Sequence, residues 1–319
     1  MWPVIDGHTR LVGLIGWPVG HSLSPAMHNA VFEALGLNWH YVPLPVEPGQ
    51  VERAVRGLVA LGFRGANVTV PHKRAVMPAL DTIGPDAEAL GAVNTLVVRG
   101  GAGSFPVRSE ARRSAGVPSK VTVAGYNTDA RGFVGALHAG GFEPGHGASS
   151  VVVGAGGAAR AVVFGLLRAG TGEIVVLNRT LERAQALVSD LGGSCDGESR
   201  LRALALTPEA VIETARAADL LVNASTVGMG RHAGGSIWPD GVPVPSHLTV
   251  FDVVYTPLET KLLRQARQSG ARAIDGLGML VRQGALALDR WTDHALDVDE
   301  VAALMRAACG RALGARLAM

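Results

Sequence analysis

Lys73 ends the stretch "NVTVPHK", residues 67–73. Strand alternation puts Val68 and Val70 on one face and Asn67, Thr69 and Pro71 on the other. A strand covered on both sides is apolar on both. This one offers an amide and a hydroxyl on one face, with a lysine just past its end. Other polar residues fall at comparable points: Ser22 and Ser24 in "GHSLSP", Asn94 in "GAVNT", Asp129 in "GYNTD". Each sits at a strand end or in the following turn, where open α/β sheets take their ligands. Singly, Ser24 and Asp129 read as helix caps and Asn94 as a turn residue. Together they suit a ligand with several hydroxyls.

A second kind of chemistry is written in "VVVGAGGAARAVV", where Gly154, Gly156 and Ala159 form a G-x-G-x-x-A pattern between a strand and a helix. The glycines allow a tight turn and close backbone approach to a pyrophosphate, and the helix N-terminus offers N–H groups to the anion. NAD-binding folds usually place a carboxylate at the end of the next strand for the ribose 2′-hydroxyl. Here that strand ends "VVLNRT", giving Asn178, Arg179 and Thr180, with Arg183 one turn later. Two guanidiniums suit a 2′-phosphate, which a carboxylate would repel. The expected cofactor is NADP.

These residues require alternating strands and helices. "RLVGLIG" (10–16), "WHYVPLPV", "GANVTVP" and "GAVNTLVVR" (91–99) read as strands. The helix after the first strand starts at "SP", with Ser24 as a cap and Pro25 in the first turn, and Gly36 can end it. Alternation of this kind predicts parallel βαβ units. From Ser150 a more regular strand–helix pattern begins, and a domain boundary is expected near residue 129. The segment between Arg99 and Lys120 lacks periodicity and reads as a long surface loop. The C-terminal "DVDEVAALMRAACGRALGARLA" reads as an amphipathic helix docked on the core.

Composition narrows the classes. The 319 residues are 48% hydrophobic and 18% charged, with a net charge of +2, which gives no electrostatic case for nucleic acid or an anionic membrane. Cys195 and Cys309 are too few for a disulfide framework and lack metal-ligand spacing, so no metal is expected. No apolar run reaches membrane-spanning length, and the N-terminus lacks the pattern of a signal peptide. A cytoplasmic enzyme is the expectation.

The chain resembles the shikimate dehydrogenase family from about Leu14 to the C-terminal helix. The resemblance rests on "GWPVGHSLSPAMHN", "GANVTVPHK", "GAVNT", "GYNTDARG", "GAGGAARA", "NRT", "VNASTVGMG", "FDVVYTPLETKLL" and "DGLGMLVRQG", in that order. It implies an α/β protein of two domains with the substrate cleft between them. One would be an N-terminal substrate and catalytic domain, 1–128 completed by 276–319; the other an NADP-binding Rossmann-like domain, 129–275. It implies NADPH-dependent, reversible reduction of 3-dehydroshikimate to shikimate, in aromatic amino-acid biosynthesis, by a monomer or homodimer. Lys73 and Asp129 match the family's catalytic pair. Ser22 and Ser24, with Tyr255, would meet the substrate carboxylate; Asn67, Thr69, Asn94, Asp129 and Gln283 would meet the ring hydroxyls. Gly154, Ala155, Gly156, Gly157 and Ala158 match the phosphate turn, Gly276 a backbone contact, and Asn178, Arg179, Thr180 and Arg183 the adenosine-phosphate clamp.

The sequence departs from the family pattern in the long 100–120 loop, in the Ser-Thr order of "NASTVGM", and at His72, a position often apolar in the family. His72 reads as a packing residue. A quinate/shikimate enzyme using NAD would carry an acidic residue in place of Asn178. An aminoshikimate variant is barely separable on sequence. A silent, ligand-sensing relative would have lost Lys73 or Asp129, and a folate-linked dehydrogenase would lack "GHSLSP" together with "GLGMLVRQ".

Overall fold

In the computed structural model, residues 5–100, 121–193 and 199–317 are described. In chain order they form β1 (Arg10–Gly16), α1 (Ser24–Ala34), β2 (Trp39–Pro45), α2 (Val51–Ala60), β3 (Gly65–Val68), β4 (Thr82–Ile83), α3 (Pro85–Leu90), β5 (Thr95–Arg99) and β6 (Thr122–Tyr126). There follow α4 (Asp129–Ala139), β7 (Ser149–Val153), α5 (Gly157–Arg168), β8 (Glu173–Asn178), α6 (Leu181–Gly192), β9 (Arg200–Ala205), α7 (Pro208–Arg216) and β10 (Leu220–Asn223). The last elements are β11 (Thr249–Asp252), α8 (Lys261–Gln268), β12 (Arg272–Asp275), α9 (Leu277–Trp291) and α10 (Val298–Leu317). Two compact units emerge, 1–128 with 284–319, and 129–283. The second crossing falls inside α9 rather than at residue 276. The reason is packing: the first turns of α9 lie so close to α4 that a Cβ on Gly132 would stand 2.8 Å from the Gln283 backbone nitrogen.

The first unit is built on a sheet of order β2-β1-β3-β5-β6-β4 among the described residues. Parallel pairing holds for β2-β1-β3, as the alternating pattern predicts. The sheet as a whole is mixed, because β5 runs antiparallel to β3 and to β6. β5 and β6 pair antiparallel, with Arg99 opposite Thr122. The insertion itself, 101–120, lies outside the described residues. Both sheet faces are covered. Val51, Val55 and Leu58 of α2 pack with Ile15, Ala66 and Val68 on one side. On the other side α1 packs against β2 and α10. In α10, Val301, Ala302, Met305, Ala308 and Cys309 are buried, a one-face stripe at helical spacing.

α1 ends as its sequence requires. Gly36 takes φ +62°, and the Leu37 N–H reaches back to the Phe32 carbonyl at 2.8 Å, a Schellman closure that favours glycine. Its start differs from expectation. Leu23 holds the cap position, Ser24 lies inside the first turn, and the Ser22 Oγ accepts the Ser24 N–H at 3.1 Å. The serine two residues earlier has taken the local acceptor role, so the Ser24 hydroxyl is not spent on the helix terminus.

The second unit carries a wholly parallel sheet of order β12-β11-β10-β7-β8-β9. Its central strands are apolar on both faces. Val151, Val153, Val175, Leu177 and Leu221 belong to one core cluster, while the alternate residues Val152, Val176 and Val222 are equally inaccessible. This is the doubly wound dinucleotide-binding topology, whose strand order reverses between β7 and β10.

Candidate active site

The first unit brings six of the expected residues to one edge of its sheet, five at or after the carboxyl ends of β1 and β3 and Asn94 at the amino end of the antiparallel β5. Strand order reverses at β1, with β2 on one side and β3 on the other, and ligands of open α/β sheets bind outside such a point. Ser22 and Ser24 follow β1, Asn67 to Lys73 follow or end β3, and Asn94 immediately precedes β5. "NVTVP" is a shorter strand than alternation suggests. It ends at Val68, though the Thr69 N–H still donates to the Ile15 carbonyl at 2.9 Å. Val68 is buried, but Val70 is 66% exposed beyond the sheet end and does not share its face.

Asn67 is buried and its amide is heavily committed. Oδ1 accepts from the Tyr41 hydroxyl at 2.9 Å, and Nδ2 donates to the Asn94 carbonyl at 3.2 Å and to Thr95 Oγ1 at 3.3 Å. Asn94 Oδ1 accepts from the Thr128 N–H and the Thr95 hydroxyl, both at 2.9 Å, and its Nδ2 donates to Thr128 Oγ1 at 3.0 Å. These bonds fix both carboxamides in plane before any ligand arrives. Lys73 and Thr69 are half-buried. The Lys73 carbonyl accepts the Val93 N–H at 2.8 Å, tying the segment to the turn before β5. His72 is buried, with Nε2 2.6 Å from the Val46 carbonyl. Since a carbonyl only accepts, Nε2 carries the proton there, and the residue packs as expected.

Asp129 belongs to the second unit as the first residue of α4, half-buried. Gln283, on α9 beside Gly132, donates through Nε2 to the Leu280 carbonyl at 2.9 Å. Tyr255 follows β11, and Gly276 joins β12 to α9. Gly276 lies against the neighbouring strand end, where a Cβ would meet the Val253 carbonyl oxygen at 2.2 Å. No side chain fits there.

The phosphate turn follows β7. Gly154 has φ +125° and its Cβ position lies 2.7 Å from the Ala224 carbonyl oxygen. Gly156 caps α5 without any side-chain bond, and the Cβ positions of Gly156 and Gly157 face open space. An uncapped helix N-terminus in front of an empty, side-chain-free surface fits a pyrophosphate. Ala155 and Ala158 are half-buried beside it. At the end of β8, Asn178 Nδ2 donates to the Thr180 carbonyl at 2.8 Å, and Thr180 caps α6 without a side-chain bond. Arg179 and Arg183 are exposed. Arg160 nearby is paired with Asp190 at 2.7 Å and Arg202 with Glu173 at 2.8 Å. Among the described residues, no carboxylate pairs with Arg179 or Arg183. The donor set fits the 2′-phosphate of NADP.

The sequence reading passed over a buried carboxylate near Tyr255. Asp252, at the end of β11, is fully inaccessible. It accepts from Asn223 Nδ2 at 2.9 Å, the Val254 N–H at 3.1 Å and the Thr260 hydroxyl at 2.7 Å. Burial raises its pKa above the ordinary aspartate value, against the three hydrogen bonds that lower it. The signal was a lone carboxylate in an apolar strand. A folded-state pKa above the unfolded one makes this group's contribution to stability greatest below the unfolded value, about 4. That contribution is lost as pH rises through the folded value. Asp252→Asn is therefore expected to gain on the native protein as pH rises from about 4 to 7. Thermal melts of both proteins across that range check it; a melting-temperature difference that stays flat or shrinks would show that the carboxylate is not held this way.

Among the described residues no helix is long and apolar enough to cross a membrane, and no group of three or more His, Cys, Asp or Glu could hold a metal.

Comparison with known proteins agrees with this arrangement. Family models match in chain order: the shikimate dehydrogenase substrate binding domain at residues 14–96, shikimate/quinate 5-dehydrogenase at 139–236, and the shikimate 5′-dehydrogenase C-terminal domain at 276–306. Shikimate dehydrogenase (NADP(+)) of Methanopyrus kandleri is 43% identical over 92% of this chain and 94% of its own. A crystal structure of shikimate 5-dehydrogenase from Listeria monocytogenes with shikimate and NAD superposes with a TM-score of 0.80 at 33% identity, covering 93% of this chain and 96% of that one. The Thermus thermophilus shikimate 5-dehydrogenase, solved with NADP(H) and shikimate, gives 0.74 at 36% identity, covering 94% and 100%. On these matches and this architecture, the chain belongs to the shikimate dehydrogenase family.

Proposed function

We propose that this protein is an NADP-dependent shikimate dehydrogenase, reversibly reducing 3-dehydroshikimate to shikimate in aromatic amino-acid biosynthesis. The reading is carried by the position of Ser22, Ser24, Asn67, Thr69, Lys73 and Asn94 at or next to strand ends along one edge of the first unit's sheet. A ligand with one carboxylate and several hydroxyls needs that set of short donors and acceptors. The serine pair, with Tyr255, takes the carboxylate; Asn67, Thr69, Asn94, Asp129 and Gln283 take ring hydroxyls.

When bound, NADPH supplies the hydride at carbon. The chain's own task is the proton. Lys73 gives it to the ketone oxygen as charge develops there and takes it back in oxidation, with Asp129 as its acidic partner. Residues 1–128 with the C-terminal helices serve as the substrate and catalytic domain. The Rossmann-like domain seats the pyrophosphate on Gly154 to Ala158, with Gly276 as a backbone contact and Asn178, Arg179, Thr180 and Arg183 around the 2′-phosphate. The reading includes a cytoplasmic enzyme acting as a monomer or homodimer.

Absorbance at 340 nm with shikimate or quinate, each with NADP or NAD, tests the reading. Shikimate with NADP is the expected pair; preference for quinate or NAD would overturn the substrate or the cofactor assignment respectively. Replacing Arg179 and Arg183 together by alanine is expected to raise the KM for NADP about 10- to 100-fold, the cost of losing charge-assisted phosphate bonds. The KM for NAD should hardly move. Equal losses for both cofactors would place the arginines outside the phosphate clamp.

A further inference from the structure

The motif "SPAMHN" contains two residues that the proposed chemistry leaves without a task, His28 and Asn29. Both converge on one residue, Tyr41. The His28 ring, fully buried, stacks on the Tyr41 ring at 4.2 Å between centroids and 13° between planes. Asn29 grips the Tyr41 backbone on both sides, accepting its N–H at 2.8 Å and donating to its carbonyl at 3.0 Å. Trp291 closes a third side, 6.2 Å from the Tyr41 ring. Tyr41 itself is 1% exposed and reaches from β2 across β1 to the Asn67 carboxamide on β3.

We propose that Tyr41, held by His28 and Asn29, is a positioning residue that makes Asn67 a one-way acceptor toward a substrate hydroxyl. The hydrogen-bond inventory forces this polarity. The Asn94 carbonyl can only accept, so the Asn67 atom facing it must be Nδ2. Thr95 Oγ1 takes the other Nδ2 proton, since its own hydroxyl hydrogen goes to Asn94 Oδ1. Tyr41 occupies one lone pair of Oδ1, leaving a single lone pair for a ligand. Asn67 so presented accepts from a hydroxyl and offers nothing to a ketone oxygen. It distinguishes an alcohol position of the ring from the carbonyl that Lys73 protonates. Burial raises the Tyr41 pKa, and the neighbouring Ser24 side chain only partly opposes this, so the hydroxyl keeps its proton and must donate. His28 stays neutral as its partner. Burial lowers its pKa to about 4, although the carbonyls of Ser24 and Gly284 favour the proton.

This inference rests on the proposed substrate. Its test is Tyr41→Phe, which removes the hydroxyl and keeps the stacked ring, assayed with shikimate and with the two mono-deoxy analogues that keep the hydroxyl being oxidised. The expected result is a KM for shikimate about tenfold higher, the cost of one hydrogen bond's worth of orientation. The kcat and the KM for NADP should change by less than about twofold, since the hydroxyl that is removed donates to Asn67 and not to Lys73. One analogue, lacking the hydroxyl that Asn67 reads, should show the same KM with native and variant protein. An unchanged KM for shikimate, or an equal rise for both analogues, would overturn the inference while leaving the proposed function standing. A native chain inert toward shikimate would remove both. Asn29→Ala, which loosens Tyr41 through its backbone alone, should shift KM in the same direction by a smaller factor; a change in kcat alone would count against the assignment.

Discussion

Lys73→Ala is expected to lower kcat for shikimate oxidation by about a hundredfold to ten-thousandfold, the range for loss of a positioned proton-transfer group. The substrate Kd should rise only a few-fold. The link to the neighbouring turn runs through the Lys73 carbonyl and the Val93 N–H, which alanine keeps. His72, one residue before, is anchored independently on the Val46 carbonyl. Both anchors survive the substitution, so the segment is expected to stay in place while the proposed proton donor is gone. Steady-state rates, shikimate titration and a thermal melt of the same sample check this. A melting temperature that falls in step with the rate would assign Lys73 to the fold, and an unchanged kcat would remove it from the chemistry.

The second unit was more legible in the sequence than the first, and the reason is topological. A doubly wound parallel sheet needs continuous apolar strands, and "VVV", "IVVL" and "LLV" appear at regular intervals with a glycine turn after the first. In the first unit parallel pairing holds for β2, β1 and β3 and again for β6 with β4. β5 returns antiparallel, and its apolar residues look like those of any other buried strand. Direction is not encoded in a run of valines; it is set by the connection, here the segment carrying β4 and α3 between β3 and β5. The boundary inside α9 was hidden for a related reason. A continuous helical sequence gives no local sign that its first two turns pack with one unit and the rest with the other.

At the candidate site, the residues that end strands were legible because polar groups are out of place there. Those that hold them were not. Tyr41 looks like an ordinary strand aromatic, and only its reach to Asn67 across β1 gives it a task. Ser24 reads as a helix cap by type and position, yet Ser22 supplies the local acceptor. In both cases the decisive fact is a hydrogen bond whose partner comes from elsewhere in the chain or from an unexpected neighbour. Residue type constrains what a group can donate or accept, and tertiary structure decides what it has left to offer.

Gly156→Ala is expected to weaken NADP about 10- to 100-fold without destabilising the fold. The two effects come apart because of where the Cβ would go. Gly156 has φ −90° and ψ −171°, a region open to alanine, and nothing lies within 4 Å of its Cβ position. Alanine narrows the unfolded ensemble, which stabilises by about 0.4–1 kcal/mol, and is a poorer cap, which offsets a part of that. The melting temperature should barely move. The same open space is where a pyrophosphate must approach the backbone, and a methyl group would hold it off the N–H groups of α5. Gly154→Ala is the contrasting case, because φ +125° and a 2.7 Å contact with the Ala224 carbonyl penalise the folded chain directly. Titration of NADP with both variants, beside their melts, separates a glycine that serves the ligand from one that serves the turn. Native-like affinity in Gly156→Ala would mean that the anion sits elsewhere, since no fold-level compensation is available to hide a steric clash at an exposed position.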